Sequence, residues 1–151
     1  GTRWLYDNRE TALANTVLVI NLEHVAAVRT KYWGRRLRMM NAVSPMRWWV
    51  NGSPLLLETV LDAFVRFNVG VTADLNPGAS GEMSRLAREL PSIQVNTSPE
   101  IKQTEQDTPE WVPAAGLEQI ARAYAKIIDS AADVDRRALE SGSGAGTLGR
   151  R

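Results

Sequence analysis

Glu23 and His24 stand side by side in INLEHVAA, and Gln103 follows 80 residues after Glu23 in the polar run KQTEQDTPEW. A carboxylate and an imidazole are the groups that ligate a divalent metal or move protons in a hydrolytic site. Neighbouring side chains on a regular strand point to opposite faces, so Glu23 and His24 are not expected to hold one metal together. An edge-of-core glutamate beside a satisfied histidine is the plainer reading. His24 is the only histidine and there is no cysteine, which excludes His-rich clusters, thiolate zinc sites, disulfides and a cysteine nucleophile. No GxSxG elbow or P-loop is present.

Asp107 has two readings. With Thr108 and Pro109 it forms good helix-starting chemistry, and it could equally orient a metal ligand from behind. Glu82, in ASGEMS, reads as an acid in the first turn of a short helix. Trp48 and Trp49 are adjacent, so on a strand one faces inward and the other outward as a candidate partner contact. WGRRLR could be a basic patch, but a solvated hairpin edge protected by its charges is the better reading.

The elements that must position these residues follow from periodicity. The stretch 5–15 reads as a short helix with Leu5, Ala12 and Leu13 buried. TVLVINLEHVA (16–26) is a β-branched apolar run, the pattern of a strand buried on both faces. AAVRTKYW and RLRMMNAV flank Gly34-Arg35 as a hairpin. Ser53 caps a helix with Pro54 in its first turn and Leu57, Val60, Leu61 and Phe64 on one face. VGVTADL is a short strand ending in the turn Asn76-Pro77-Gly78, SGEMSRLARELP a short helix stopped by Pro91, and SIQVN (92–96) a strand. Leu117, Ile120, Ala121, Tyr124, Ile127, Ile128 and Ala131 form the apolar stripe of a long final helix. From Glu140 the chain is Gly/Ser-rich, the composition of a flexible tail. Helices alternating with strands imply an α/β sandwich with a mixed sheet.

A chain of 151 residues with 44% hydrophobic and 23% charged residues suits one globular domain. A net charge of +1 gives no overall pull towards nucleic acid or an anionic membrane. No apolar run approaches the length of a membrane span.

Two stretches resemble the M28 family of zinc aminopeptidases. GTRWLYDNRETALANTVLVINLEHVAA is similar to the segment where a Gly-Ser/Thr-Arg step opens a short helix and a strand then ends in Asn-Leu-Asp. ARELPSIQVNTSPEIKQTEQDTPEWVPAAGLEQIARAYAKII is similar to that family's closing segment, which passes through a His-Thr-x-x-Asp-Thr turn into a long helix. The resemblance implies an α/β three-layer sandwich with a mixed central sheet flanked by helices, of the zinc-peptidase (phosphorylase/hydrolase-like) kind. Residues 1–139 would be its C-terminal portion, with the N-terminal part missing, and 140–151 a flexible tail. The implied activity is zinc-dependent, aminopeptidase-like hydrolysis of peptide bonds; the alternative is a non-catalytic peptidase-like domain used for binding or assembly.

By position, the resemblance puts Glu23 where a strand-end aspartate ligand stands and Gln103 where a histidine ligand stands. Asp107 belongs to the frame of that turn, and Glu82 falls in a loop that lines the substrate pocket. A glutamine amide carries no charge and replaces imidazole poorly, so weak or absent zinc binding is expected. The family's His-x-Asp motif and its Glu-Glu pair, which includes the general base, are not in this sequence, so hydrolysis by these residues alone is not expected. Implied partners are a peptide substrate and either a second copy or a complementing N-terminal portion along strand 16–22, with no nucleic acid and no membrane span. A secreted or extracytoplasmic setting also follows from the resemblance.

Overall fold

The computed structural model describes residues 1–72 and 78–140. The expected tail beyond Glu140, and the expected turn at 76–78 apart from Gly78, lie outside the described residues. Two short helices, α1 (Thr2–Asp7) and α2 (Arg9–Ala12), precede strand β1 (Val19–Glu23). The hairpin β2 (Val28–Trp33) and β3 (Arg36–Val43) follows, then β4 (Met46–Asn51), α3 (Pro54–Arg66) and β5 (Val71–Thr72). After a 3-10 turn at Gly81–Ser84 come β6 (Ser92–Asn96), α4 (Ala114–Ala131) and α5 (Arg136–Leu139).

The fold is α/β with a mixed four-stranded sheet in the order β1-β6-β4-β5, and β2 with β3 forms a separate two-stranded sheet. β6 runs parallel to β1 and antiparallel to β4, while β5 runs parallel to β4. Strand alternation divides the residues between two apolar clusters. On one face Ile93, Val95 and Met46 pack with Leu56, Val60 and Phe64 of α3 and with Ile120, Tyr124 and Ile127 of α4. On the other, Met83, Leu86 and Ala87 pack with Leu5 and Tyr6 of α1, Leu13, Val19 and Trp49. Arg9 and Glu89 add an ion pair at 3.5 Å between α2 and the segment after the 3-10 turn.

Local chemistry explains the best-defined helix. The Ser53 hydroxyl accepts from the Leu56 N–H at 3.4 Å and donates to the Ala138 carbonyl at 2.6 Å, tying the start of α3 to α5. At the far end Asn68 turns left-handed (φ +55), with the Val69 N–H on the Phe64 carbonyl at 2.8 Å and the Asn68 N–H on the Val65 carbonyl at 3.2 Å. Those two bonds close a Schellman motif over the buried Val69.

Several expectations are corrected. The helix expected over 5–15 is two short helices within residues 2–12. β1 is half-buried rather than buried on both faces, because it is the edge strand beside β6 and leaves Leu22 51% exposed. The α3 face that packs inward is Leu56, Val60, Ala63 and Phe64, with Leu61 at the surface. In α4, Leu117 and Ile128 are likewise exposed, and Gly116 and Ala123 take the inner positions. A Cβ on Gly116 would meet Val43 Cγ2 at 2.9 Å, so only glycine permits that approach. The segment expected as a helix at 80–91 is a 3-10 turn followed by turns. Neither Trp48 nor Trp49 is a free outward contact: each is half-buried, on opposite faces, and each face is covered.

Candidate functional site

Glu23 is the last residue of β1 and sits opposite Asn96 of β6. Asn21, Glu23, Gln94 and Asn96 share the face turned away from α3 and α4, by strand alternation. There they form a polar socket. The Asn21 and Gln94 side-chain amides donate to Glu23 Oε2 at 3.4 and 3.5 Å. Gln94, itself buried, is clamped on the Ser80 backbone: its Nε2 donates to the Ser80 carbonyl at 3.1 Å and its Oε1 accepts the Ser80 N–H at 2.9 Å. Asn96 Nδ2 donates to the Ser80 hydroxyl at 3.0 Å. Gly81 then turns left-handed (φ +55) directly over the carboxylate, where a Cβ would stand 2.9 Å from Glu23 Oε2. Beside the socket lies a cavity of about 10 Å³, room for one water, bordered by Arg47, Trp49, Ser80, Gln94 and Asn96.

The expectation that Glu23 and His24 diverge is overturned. The strand stops at Glu23 and His24 takes a left-handed backbone (φ +49), so the alternation rule no longer applies. His24 Nε2 lies 3.6 Å from Glu23 Oε1, and the side chains are 36% and 24% exposed respectively. The His24 carbonyl accepts from the Thr97 N–H at 3.1 Å and from the Thr97 hydroxyl, joining the end of β1 to the chain leaving β6.

Gln103 and Asp107 meet in a turn of their own. Gln103 is exposed and left-handed (φ +60), and its N–H donates to Asp107 Oδ2 at 2.9 Å. Asp107 therefore frames the backbone at position 103 and does not start the final helix. That helix, α4, begins at Ala114 after Pro113 with no side-chain cap, and the 3-10 turn at Pro109–Trp111 has none either. Glu82 is exposed, and its neighbour Gly81 is the residue that reaches Glu23. Sequence reading missed Asn21, Ser80, Gly81, Gln94 and Asn96. The available signal was the alternation in SIQVN, whose polar residues occupy a face that turns out to be covered.

Zinc takes about four N, S or O ligands, three from the protein in hydrolytic sites. Here one carboxylate oxygen already accepts two amide bonds and one imidazole stands beside the other. Among the described residues no group of three or more His, Cys, Asp or Glu side chains converges. This donor set does not fit a zinc site. Among the described residues no helix is long and apolar enough to cross a membrane. No family model, characterised protein or solved structure matches this chain.

Proposed function

We propose that this chain carries the Glu23 side of a peptide-handling site in an M28-like, zinc aminopeptidase-type hydrolase domain. The observation that supports this reading is the Glu23 carboxylate at the end of a strand of a mixed sheet, held by Asn21 and Gln94 and left partly open. α/β folds place working side chains at strand ends of this kind. Apolar packing of helices on both faces of the sheet supports the three-layer, zinc-peptidase-like arrangement.

On these residues alone the site binds rather than cleaves. Peptide hydrolysis by a metal route needs a polarising ion and a base on its water, and the donor set above does not fit the ion. A partly exposed carboxylate can still pair with a cationic peptide group such as an α-ammonium. Gln103 favours the second reading, a non-catalytic peptidase-like domain used for binding or assembly, because an exposed amide can hydrogen-bond a peptide but replaces imidazole poorly on zinc.

Two measurements test the proposal. After dialysis against trace zinc, the chain is expected to retain far less than one equivalent and to release no amine from an aminoacyl anilide. Short peptides are expected to shift the side-chain amide resonances of Asn21 and Gln94, and Glu23→Ala to abolish that response. Stoichiometric zinc lost in Glu23→Ala would overturn the binding-only reading. Amide resonances indifferent to every peptide would overturn the peptide-handling one.

A further inference from the structure

The β2–β3 hairpin stands apart from the main sheet and carries Arg29, Lys31, Arg35, Arg36 and Arg38 with no Asp or Glu between Val28 and Val43. Its two faces differ. Thr30, Tyr32, Leu37 and Met39 share one, by register. There Thr30 donates to Glu100 at 2.6 Å, and Tyr32 and Leu37 border a groove of about 760 Å³ against Ile101, so this face looks onto the body of the protein. Lys31 and Trp33 share the other face with Arg36 and Arg38. Arg35 and Arg36 sit at the tip, where they also border the groove near Glu100 and Glu105. None of the five cations forms an ion pair with a described residue.

Two features of the hairpin are unfavourable in water. Lys31 is directly opposite Arg38, and like charges at cross-strand positions repel. Trp33 is 71% exposed and Tyr32 58%, both next to the Gly34-Arg35 turn. An overall charge of +1 conceals this local concentration.

We propose that the hairpin tip docks on an anionic lipid bilayer surface. The basic residues meet the phosphate and carboxylate headgroups, while Trp33 and Tyr32 enter the interface on either side of the tip. Charge complementarity selects an anionic occupant, and it argues against a second copy, whose equivalent face would repel this one. The aromatic geometry selects a membrane over a nucleic acid. Tyr32 and Trp33 are consecutive on a strand, so they point to opposite faces and cannot form one platform for stacking bases. Inserted end-on, both reach the headgroup level, where Trp and Tyr are at home.

The test is co-sedimentation of the whole chain with vesicles of phosphatidylcholine alone or containing a third of phosphatidylglycerol, with a single-stranded oligonucleotide as the rival anion. Binding is expected only to the anionic vesicles, falling as salt rises. Lys31→Gln with Arg38→Gln should weaken it on the order of thirtyfold, the worth of two basic residues at an anionic surface. Both side chains are exposed and the exchange relieves a like-charge pair, so misfolding does not explain such a loss. Trp33→Ser should reduce binding severalfold and remove most of the quenching of tryptophan emission by brominated lipid, whereas Trp4→Ser, also at an exposed position, should change neither. Equal binding to neutral vesicles, undiminished binding in the Lys31/Arg38 variant, equal losses for Trp33→Ser and Trp4→Ser, or tighter binding of the oligonucleotide would each overturn the proposal.

Discussion

Replacing Gly81 by alanine is expected to destabilise the chain by about 1–2 kcal/mol, and the structure separates two contributions to that loss. The first is conformational. Gly81 has φ +55, and a residue with a Cβ in the left-handed region costs roughly 1–2 kcal/mol. The second is contact: the new Cβ would stand 2.9 Å from Glu23 Oε2 and 3.4 Å from Oε1. A carboxylate is the end of a flexible side chain, so it moves aside. What it gives up is two amide hydrogen bonds of 3.4 and 3.5 Å, already near the limit of useful hydrogen bonding. The backbone contribution therefore dominates, and coupling between positions 81 and 23 should stay within about 0.5 kcal/mol. In a chain of this size the melting temperature should fall by about 2–8 °C. Thermal unfolding of wild type, Gly81→Ala, Glu23→Ala and the double variant closes the cycle. Gly81→Asn, which tolerates the left-handed region better, should lose less than Gly81→Ala. If Gly81→Ala melts with the wild type, the turn is not left-handed in solution. Coupling above about 1 kcal/mol would mean that Glu23 is locked in place and cannot swing aside.

Tyr124 has a buried hydroxyl without a partner among the described residues, and burial pushes its phenol well above the ordinary range. Tyr124→Phe should therefore raise the urea midpoint, by about 1 kcal/mol of stability or somewhat more, and a lowered midpoint would show that the hydroxyl is satisfied. Asp107→Ala should cost about 0.5–1.5 kcal/mol and speed hydrogen exchange at the Gln103 amide; unchanged exchange would show that the turn is held another way. The Thr30 hydroxyl and a backbone hydrogen bond lower the Glu100 carboxyl pKa. A lowered folded pKa contributes stability above the unfolded value that is lost as pH falls through the folded one. Thr30→Val should then raise the Glu100 pKa measured by NMR, with the two proteins differing in stability above about pH 5 and converging in acid; a Glu100 titration unmoved by the substitution refutes the link. The free edge of β1 is a template for pairing, so light scattering over a dilution series should show concentration-dependent self-association, and a monomer at every concentration counts against it.

Local chemistry was legible wherever a few neighbouring residues decide the outcome. Ser53-Pro54, the Gly34-Arg35 turn, the span of β6 and the long final helix all follow from short-range rules. Which side of an apolar stripe faces inward was not legible, because α3 and α4 have wide stripes and the sheet chooses among them. Leu61, Leu117 and Ile128 qualify by spacing, yet Ala63, Gly116 and Ala123 sit inside because close approach to neighbouring segments favours small residues. The polar residues of β6 were read as ordinary alternation. Their significance depends on Ser80 and Gly81 folding over that face, a contact across more than ten residues.

The Glu23–His24 pair shows why the candidate site itself was the least legible part. The opposite-faces rule is sound while a strand lasts, and this strand ends between the two residues. What ends it is distant: Thr97 takes the His24 carbonyl from 73 positions away, and Ala26, also left-handed at φ +63, is fully buried where Gly116 of α4 comes close. Left-handed backbone at residues other than glycine persists only where the surroundings over-determine it. Among the described residues, besides Asn68, which closes α3, the three such residues are His24, Ala26 and Gln103, at or just after the two positions at which the chemistry was sought. Their strain is held by tertiary contacts at His24 and Ala26 and by the Asp107 carboxylate at Gln103. The proximity of carboxylate and imidazole is thus a property of the assembled fold, set by contacts that no local pattern in INLEHVAA contains.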